Sequence, residues 1–379
     1  MKILFLIFHG FSEHSGISKK IHYQIKGLQE NGHEVHVCTY SLNKQEHRIR
    51  YIDNQILEDF GNGRFASLKK RICYQSIVRY AQNEHIDFVY ARSFHNANPF
   101  TIHLFNSLKK AGIKSVIEIP TYPYDQEYVG FSKKERLELK IDQLFRCQLA
   151  KQTDRIVTFT DDSFIFGQKT ICISNGVDFD SIPLKQPSNN FPKELHLIGV
   201  AEVHYWHGFD RLIHGMGEYY SHPHKTEVYF HIIGGIGPSE MYNSQHAPGF
   251  QELIEKYHLE PYVLFHGQLF GEKLDNYFNQ CDFAIGSLAR HRSGITTIKT
   301  LKNREYAARG IPFIFSEDDK DFNDKPYIIK VLANETPISI QEIIEFQNNF
   351  NILPMDIRNS IQNLSWKEQM RKVIEVING

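Results

Sequence analysis

Lys2-Ile3-Leu4-Phe5-Leu6-Ile7-Phe8 opens the chain, a loop holding Gly10 and Gly16 follows, and Ile17, Ile21, Ile25 and Leu28 then recur on one helical face. Asn31-Gly32 supplies a helix stop, and Glu34-Val35-His36-Val37-Cys38 begins a second extended run. An apolar strand, an amphipathic helix and another strand in succession predict a βαβ unit with parallel strands buried on both faces. The opening run is short, and His9-Gly10 stands where a secretory leader would place its small cleavage residues, so a buried strand is the reading. No stretch is apolar over the length that a bilayer crossing requires, and the expected location is the cytoplasm.

The alternation continues outward. Strands are expected at Phe88–Tyr90, Ser115–Ile119 and Arg155–Phe159, with amphipathic stretches between them. Residues 183–192 carry three prolines and no apolar period, which reads as a linker. Beyond it, strands are expected at Leu195–Val200, Val228–Ile233, Val263–His266, Phe283–Ile285 and Pro312–Phe315. Helices fit Phe209–Tyr220, Phe250–Tyr257, Lys273–Asn279 and Leu301–Arg309. The fold class is therefore α/β, with two Rossmann-like, doubly wound domains. The expected division is 1–182 for the first domain, 183–192 for the linker and 193–356 for the second domain. A helix over 357–379 is expected to return to the first domain. Ligands sit at the carboxyl ends of parallel strands in this architecture.

The 379 residues suit two domains, and the net charge of −1 provides no global field for a polyanion, so nucleic acid is not the expected partner. The five cysteines are scattered, odd in number and never spaced as a Cys-x-x-Cys pair, which points to a reducing compartment. The 20 histidines include no His-Glu-x-x-His and no Cys/His ligand set. Metal-dependent chemistry and a resident cofactor are not expected.

The most informative stretch is Leu301-Lys302-Asn303-Arg304-Glu305-Tyr306-Ala307-Ala308-Arg309-Gly310-Ile311-Pro312. It reads as a short helix stopped by Gly310, whose amino end suits a diphosphate through its free amides and dipole. Lys302 is placed to add charge beside phosphates and Glu305 to accept from ribose hydroxyls. Read locally, the two fit a solvated helical ion pair better. The pattern resembles the donor-site motif of family 4 retaining glycosyltransferases, in which Glu, small residues and Gly-x-Pro lead into a strand after a Gly-containing loop. The matching positions are Glu305, Ala307, Ala308, Gly310 and Pro312. Thr297, in Ser293-Gly294-Ile295-Thr296-Thr297, stands where the family has a Glu that contacts the donor sugar.

Further resemblances lie in Gly199-Val200-Ala201-Glu202-Val203-His204-Tyr205-Trp206-His207-Gly208-Phe209-Asp210, in Gly234-Gly235-Ile236-Gly237-Pro238, and in Phe265-His266-Gly267-Gln268. Asn175-Gly176-Val177-Asp178 matches the family turn that closes the first domain. The family's Arg and Lys for diphosphate are replaced by Ala201 or Glu202 and by His207. His207 reads either as a phosphate donor or as a helix cap, with Lys302, Arg290 or Arg292 making up the charge. The resemblance implies the GT-B fold and transfer of a sugar, with retention, from a nucleotide diphosphate sugar to a glycan or polyprenyl-linked acceptor in cell-surface polysaccharide synthesis. It implies donor contacts at Gly16, His207, Gly235, His266, Arg292, Gly294, Thr296, Thr297, Lys302 and Glu305. Lys302 and Glu305 are also catalytic candidates, with Thr121 and Asp125, which are candidates for acceptor contact too unless their Pro-Tyr turn simply packs on the core.

Two other activities fit the same residues, an epimerase acting on a sugar nucleotide and a non-catalytic sugar binder with a decayed motif. Basic stretches at Lys69-Lys70-Arg71, Lys109-Lys110 and from Lys133 to Lys151 read as peripheral contacts to an anionic membrane or, since Glu135, Glu138 and Asp142 interrupt the longest, as solvated helix faces.

Overall fold

The computed structural model describes residues 1–11, 16–93, 95–125, 132–186, 193–241 and 248–379. The chain forms two compact units, Met1–Gly176 with Leu364–Gly379, and Val177–Asn363.

The first unit begins β1 (Lys2–Leu6), α1 (Gly16–Glu30), β2 (Glu34–Leu42), β3 (Arg48–Ile52), β4 (Gln55–Asp59), α2 (Gly63–Ile72) and α3 (Gln75–Asn83). It continues with β5 (Phe88–Arg92), α4 (Pro99–Lys110), β6 (Lys114–Ile119), α5 (Lys133–Ala150), β7 (Arg155–Thr158), β8 (Phe164–Ile165) and β9 (Gln168–Cys172). The sheet order is β4-β3-β2-β1-β5-β6-β7-β9-β8. The apolar runs of β1, β5 and β6 pair in parallel at its centre, as expected for strands covered on both faces. The edges depart from an all-parallel sheet, because β3 and β4 form an antiparallel meander on β2 and β8 turns back on β9. Edge strand β4 mixes polar and apolar residues, and edge strand β8 is only two residues long. Arg50 of β3 is nevertheless buried, because it donates to Glu58, Ser76 and the carbonyls of Cys73 and Lys70.

The second unit holds β10 (Glu194–Val200), α6 (Phe209–Tyr220), β11 (Glu227–Ile233), α7 (Pro238–Met241), α8 (Phe250–Tyr257), β12 (Val263–Phe265) and α9 (Glu272–Gln280). Then follow β13 (Phe283–Ile285), α10 (Leu301–Arg309), β14 (Phe313–Phe315), β15 (Ile328–Lys330), α11 (Ile340–Asn349) and α12 (Pro354–Asn359). All its strand pairs are parallel, in the order β12-β11-β10-β13-β14-β15. The order reverses between β10 and β13, and the carboxyl ends of strands at such a reversal are the usual ligand position in a doubly wound sheet.

The division falls at 176/177 and 363/364, and not at 182/193 and 356/357. Segments 177–186 and 357–363 spend their hydrogen bonds inside the second unit. Lys185 N donates to the Arg309 carbonyl (2.8 Å), Gln186 N to Asn279 (2.9 Å), and Arg358 to the carbonyls of Ile182 (2.8 Å) and Phe179. Of the expected linker, 183–186 are thus part of that unit and 187–192 lie outside the described residues.

The last helix, α13 (Trp366–Asn378), crosses back to the first unit and buries Trp366, Met370, Val373, Ile374 and Ile377 against Ile21, Ile25 and Leu28 of α1. A Cβ on Gly176 would stand 2.4 Å from the Trp366 ring, so that glycine is needed for close approach. Gln369 receives Ser174 N at 2.8 Å and fixes the register. Trp366→Ala is expected to cost about 3–5 kcal/mol, the usual penalty for emptying a buried aromatic site. Urea unfolding followed by Trp206 fluorescence and far-UV circular dichroism should show the first unit melting early while Trp206, in the second, reports a later transition. A loss below about 1 kcal/mol would contradict this packing role.

Candidate functional site

The second unit gathers its polar groups where the strands β10, β13 and β14 end. After β10 a 3-10 turn, Tyr205–His207, leads through Gly208 into α6. After β13 another, Arg290–Ser293, ends at Gly294. The two are laced together: Leu288 N donates to the His207 carbonyl (2.8 Å) and Ser316 N, after β14, to the Ser287 carbonyl (2.9 Å). Gly208 is in the left-handed region with a Cβ position only 2.8 Å from Ala289 Cβ, so no larger residue would let the turns meet.

Into this junction α10 delivers Lys302 and Asn303 from its first turn. Lys302 Nζ is buried and has no hydrogen-bond partner among the described residues, and the same holds for Arg290 Nε, Asn303 Oδ1, Ser287 Oγ and Glu317 Oε2. Glu317 is fully buried just beyond β14 and accepts from Asn303 Nδ2 at 3.2 Å. Burial, reinforced by Arg290, drives the Lys302 pKa well below the ordinary lysine range while Glu317 pulls it back. Burial likewise raises Glu317 above the usual carboxylate range, against the pull of Arg290 and Lys302. Two cations and one reluctant carboxylate, each with an atom short of hydrogen bonds, act on one another in this cluster. A buried charge without its full set of partners is expensive, and an anion with several acceptor oxygens is the natural complement.

The expected donor residues divide sharply around this cluster. Lys302 is central to it. His207 is buried against it, and burial together with Lys302 and Arg290 holds the ring far below its usual pKa. The His204 amide donates to its Nδ1 (2.9 Å), so the neutral ring carries its proton on Nε2. It is therefore a neutral donor as well as the cap of its turn, and not a titrating cation. Arg292 is already committed. Its guanidinium grips Asp210 through two bonds (2.9 and 2.8 Å), the Tyr205 carbonyl (2.9 Å) and Glu335, which Arg292 first and His291 after it pull down to about 2. The cation that takes its place is Arg290, two residues earlier, with its guanidinium 5.6 Å from the Trp206 ring centroid.

Glu305 forms an ion pair within its helix, but with Arg309 and not with Lys302. Arg309 Nε and Nη2 both reach Oε1 (3.0 and 2.9 Å), leaving Oε2 without a described donor, and Arg309 is itself anchored on Asp275. Gly294, Thr296 and Thr297 are exposed, and Asp318 N donates to the Thr296 carbonyl at 2.7 Å. Gly235 has room for a side chain. Its neighbour Gly234 does not, since a Cβ there would fall 1.6 Å from the Ala201 carbonyl oxygen. His266 ends a row of imidazoles, with His231 Nδ1 2.9 Å from its Nε2 and His196 Nδ1 3.0 Å from His231 Nε2.

Gly16, Thr121 and Asp125 belong to the first unit. Gly16 starts α1, and residues 12–15 of the loop before it lie outside the described residues. Asp125 is clamped by Arg146 (2.7 and 3.2 Å), whose hydrogen bonds hold its carboxyl below the usual range and make it a poor base. Thr121 is half-buried beside the Tyr122–Pro123 turn, and Tyr122 and the buried Tyr124 both pack on Phe166. At the ends of β5 and β6, Glu118 is fully buried and bonded by Arg92 (2.6 Å), Tyr90 (2.5 Å) and Gln24 (2.5 Å), with Lys20 at 3.7 Å. Burial alone would raise Glu118, but Lys20 and Arg92 keep it below the usual range. Unlike the Lys302 cluster this one is closed, with its charges paired. Glu317 and Ser287 were not singled out in the sequence; an acid and a serine two residues beyond the ends of apolar parallel strands were the available signal.

No protein-family model matches the chain, and no curated protein matches it in sequence. Solved structures do. A sucrose-phosphate synthase from Thermosynechococcus elongatus is 14% identical, with a TM-score of 0.64 over 100% of this chain and 98% of that one. A glycosyltransferase from Rickettsia africae ESF-5 is 14% identical, with a TM-score of 0.62 over 100% and 97%. The trehalose-6-phosphate structure from E. coli, bound with UDP-2-fluoro glucose, is 12% identical, with a TM-score of 0.56 over 100% and 99%. These likenesses give the fold: two parallel-sheet α/β units in the GT-B arrangement found among glycosyltransferases.

Because Lys302 is a buried cation lacking hydrogen bonds, Lys302→Met should raise the unfolding free energy by about 1 kcal/mol or more while removing anion affinity. Guanidinium unfolding of the ligand-free chain checks this. A comparable loss of stability would instead mean that Lys302 serves as a structural partner of Glu317.

Proposed function

We propose that the chain is a retaining glycosyltransferase that takes a hexosyl group from a nucleoside diphosphate sugar. The observation that carries the reading is the pair of buried nitrogens without described partners, Lys302 Nζ and Arg290 Nε, near the topological switch of the second sheet. Their charge, the Nε2–H of His207 and the amides opening α10 would bind the diphosphate and stabilise it as it leaves. Glu305 Oε2 is the acceptor offered to the ribose hydroxyls, with Arg309 fixing the carboxylate. The donor's anomeric C–O bond to phosphate breaks, and a bond from the same carbon to the acceptor oxygen forms. The acceptor proton passes to a phosphate oxygen of the departing diphosphate, since Asp125 is held too acidic to serve as a strong base. Two fixed cations beside the phosphates support a reaction that needs no metal ion.

In this reading Thr121 and the Tyr122–Pro123 turn of the first unit contact a glycan or polyprenyl-linked acceptor. The product is part of a cell-surface polysaccharide such as a capsule, and the work is done in the cytoplasm. No described helix is long and apolar enough to cross a membrane, so a lipid-linked acceptor would be met from the membrane surface.

A thermal-shift panel of UDP, GDP, dTDP and CMP sugars should single out one nucleoside diphosphate class by a rise in melting temperature. For that donor, Lys302→Met or Arg290→Met should weaken binding roughly 10- to 100-fold, the equivalent of a charge-assisted bond of about 1.5–3 kcal/mol. Glu305→Ala should lose affinity for the nucleotide but not for pyrophosphate. A panel with no shift, or variants that bind as the parent does, would remove the donor-site reading.

A further inference from the structure

Two helices of the first unit present apolar residues to solvent in a cationic setting. On α2, Phe65 is 82% exposed and Leu68 55%, and the helix carries Arg64, Lys69, Lys70 and Arg71 with no acid. On α5, Leu137, Ile141 and Leu144 are 58%, 40% and 70% exposed. Their spacing of four and three residues stacks them as one stripe along the helix. Arg71 and Glu138 form an ion pair at 2.5 Å that joins α2 to α5.

Read as sequence, α5 is a mixture of charges, five cations and three acids. The fold sorts them. At about 100° per residue, Lys133, Lys134 and Lys140 fall within roughly 60° of the Leu137 direction, while Glu135, Glu138 and Asp142 fall about 100–160° away from it. Each acid is also occupied internally: Glu135 accepts from Ser132 N in a capping box, Glu138 pairs with Arg71, and Asp142 accepts from Ala97 N (2.9 Å) and Tyr124 OH. α5 therefore shows to solvent an apolar line bordered by lysines, with the exposed Glu135 about 160° away from that line at the start of the helix. Lys70 is the exception on α2, since it folds over the Tyr40 ring at 3.5 Å.

We infer that this α2–α5 face docks the chain on an anionic lipid bilayer, with Phe65, Leu68, Leu137, Ile141 and Leu144 entering the interface and the bordering lysines lying at the headgroups. Charge complementarity selects this occupant. The cations are concentrated on these helices in a chain whose net charge is −1, and an apolar stripe with a lysine border is the pattern that interfacial helices use. An apolar protein partner would gain nothing from the lysine border. The inference needs no glycosyl transfer, but it would bring the chain to a lipid-linked acceptor.

The test is flotation of the full chain, without donor or acceptor, on vesicles of phosphatidylcholine alone and with phosphatidylglycerol added. The parent should float with the anionic vesicles, at least about tenfold more tightly than with the neutral ones, and should be released by salt. Leu144→Glu and Phe65→Ser are surface changes and should leave the melting temperature unchanged while weakening flotation by about tenfold or more. Lys133→Glu with Lys140→Glu should abolish the preference for phosphatidylglycerol. A parent that does not float, or variants that float equally well, would overturn the inference. So would a concentration-dependent dimer that Leu144→Glu dissociates, because the face would then be a contact between copies. Nucleotide binding measured on the same variants should not change, which separates a failure here from a failure of the donor site.

Discussion

The second unit is organised around a cost, the burial of Lys302 and Arg290 beside Glu317 with hydrogen bonds left unmade. Nothing in the stability of the isolated chain calls for such an arrangement, since apolar residues of similar size would pack there at lower cost. The surrounding backbone is nevertheless committed to it. Gly208 and Ala289 meet closely so that the turns after β10 and β13 can interlock, and Gly234 presses against Ala201 so that the loops after β10 and β11 lie flush. Arg292 ties the first turn of α6 to Glu335 and holds the second 3-10 turn in place, which leaves Arg290 facing the cluster. Sites that do chemistry commonly give up stability in this way.

The first unit handles charge in the opposite manner. Glu118 sits as deep in its sheet as Glu317 does in the other, but Arg92, Lys20, Tyr90 and Gln24 close around it. That cluster reads as a fixed pillar of the fold, whereas the Lys302 cluster reads as an interaction half completed. The contrast is what supports placing the proposed donor in the second unit.

Much of this was legible in the sequence where burial is apolar and continuous. β1, β10, β11 and the helices α6, α8 and α10 follow directly from apolar runs and helical periods. The β3–β4 meander was not legible, because Arg48-Ile49-Arg50-Tyr51-Ile52 reaches its buried state by satisfying an arginine and not by hiding apolar surface. In the site, Lys302 and Glu305 could be placed because helix α10 and its Gly310 stop are local features. Arg290 and Arg292 could not be told apart, since the partners that retire Arg292 are Asp210 and Glu335, far away in the chain. The same limit applies to α5, whose acids look like interruptions until the fold shows Asp142 buried, Glu138 paired with Arg71 and Glu135 spent on its helix cap.

The central claim is that a diphosphate completes the Lys302–Arg290–Glu317 cluster, and proton linkage tests it most directly. In the resting cluster burial disfavours the charge on both Lys302 and Glu317, lowering the lysine and raising the carboxyl. An incoming dianion favours the charged ammonium and the neutral carboxyl together, so binding should draw a proton from solvent. Calorimetric titration of the preferred nucleoside diphosphate sugar at about pH 8, in buffers of different ionisation enthalpy, should show an observed heat that depends on the buffer with the sign of proton uptake, and the dependence should vanish in Lys302→Met. A heat independent of buffer, or proton release, would contradict the account.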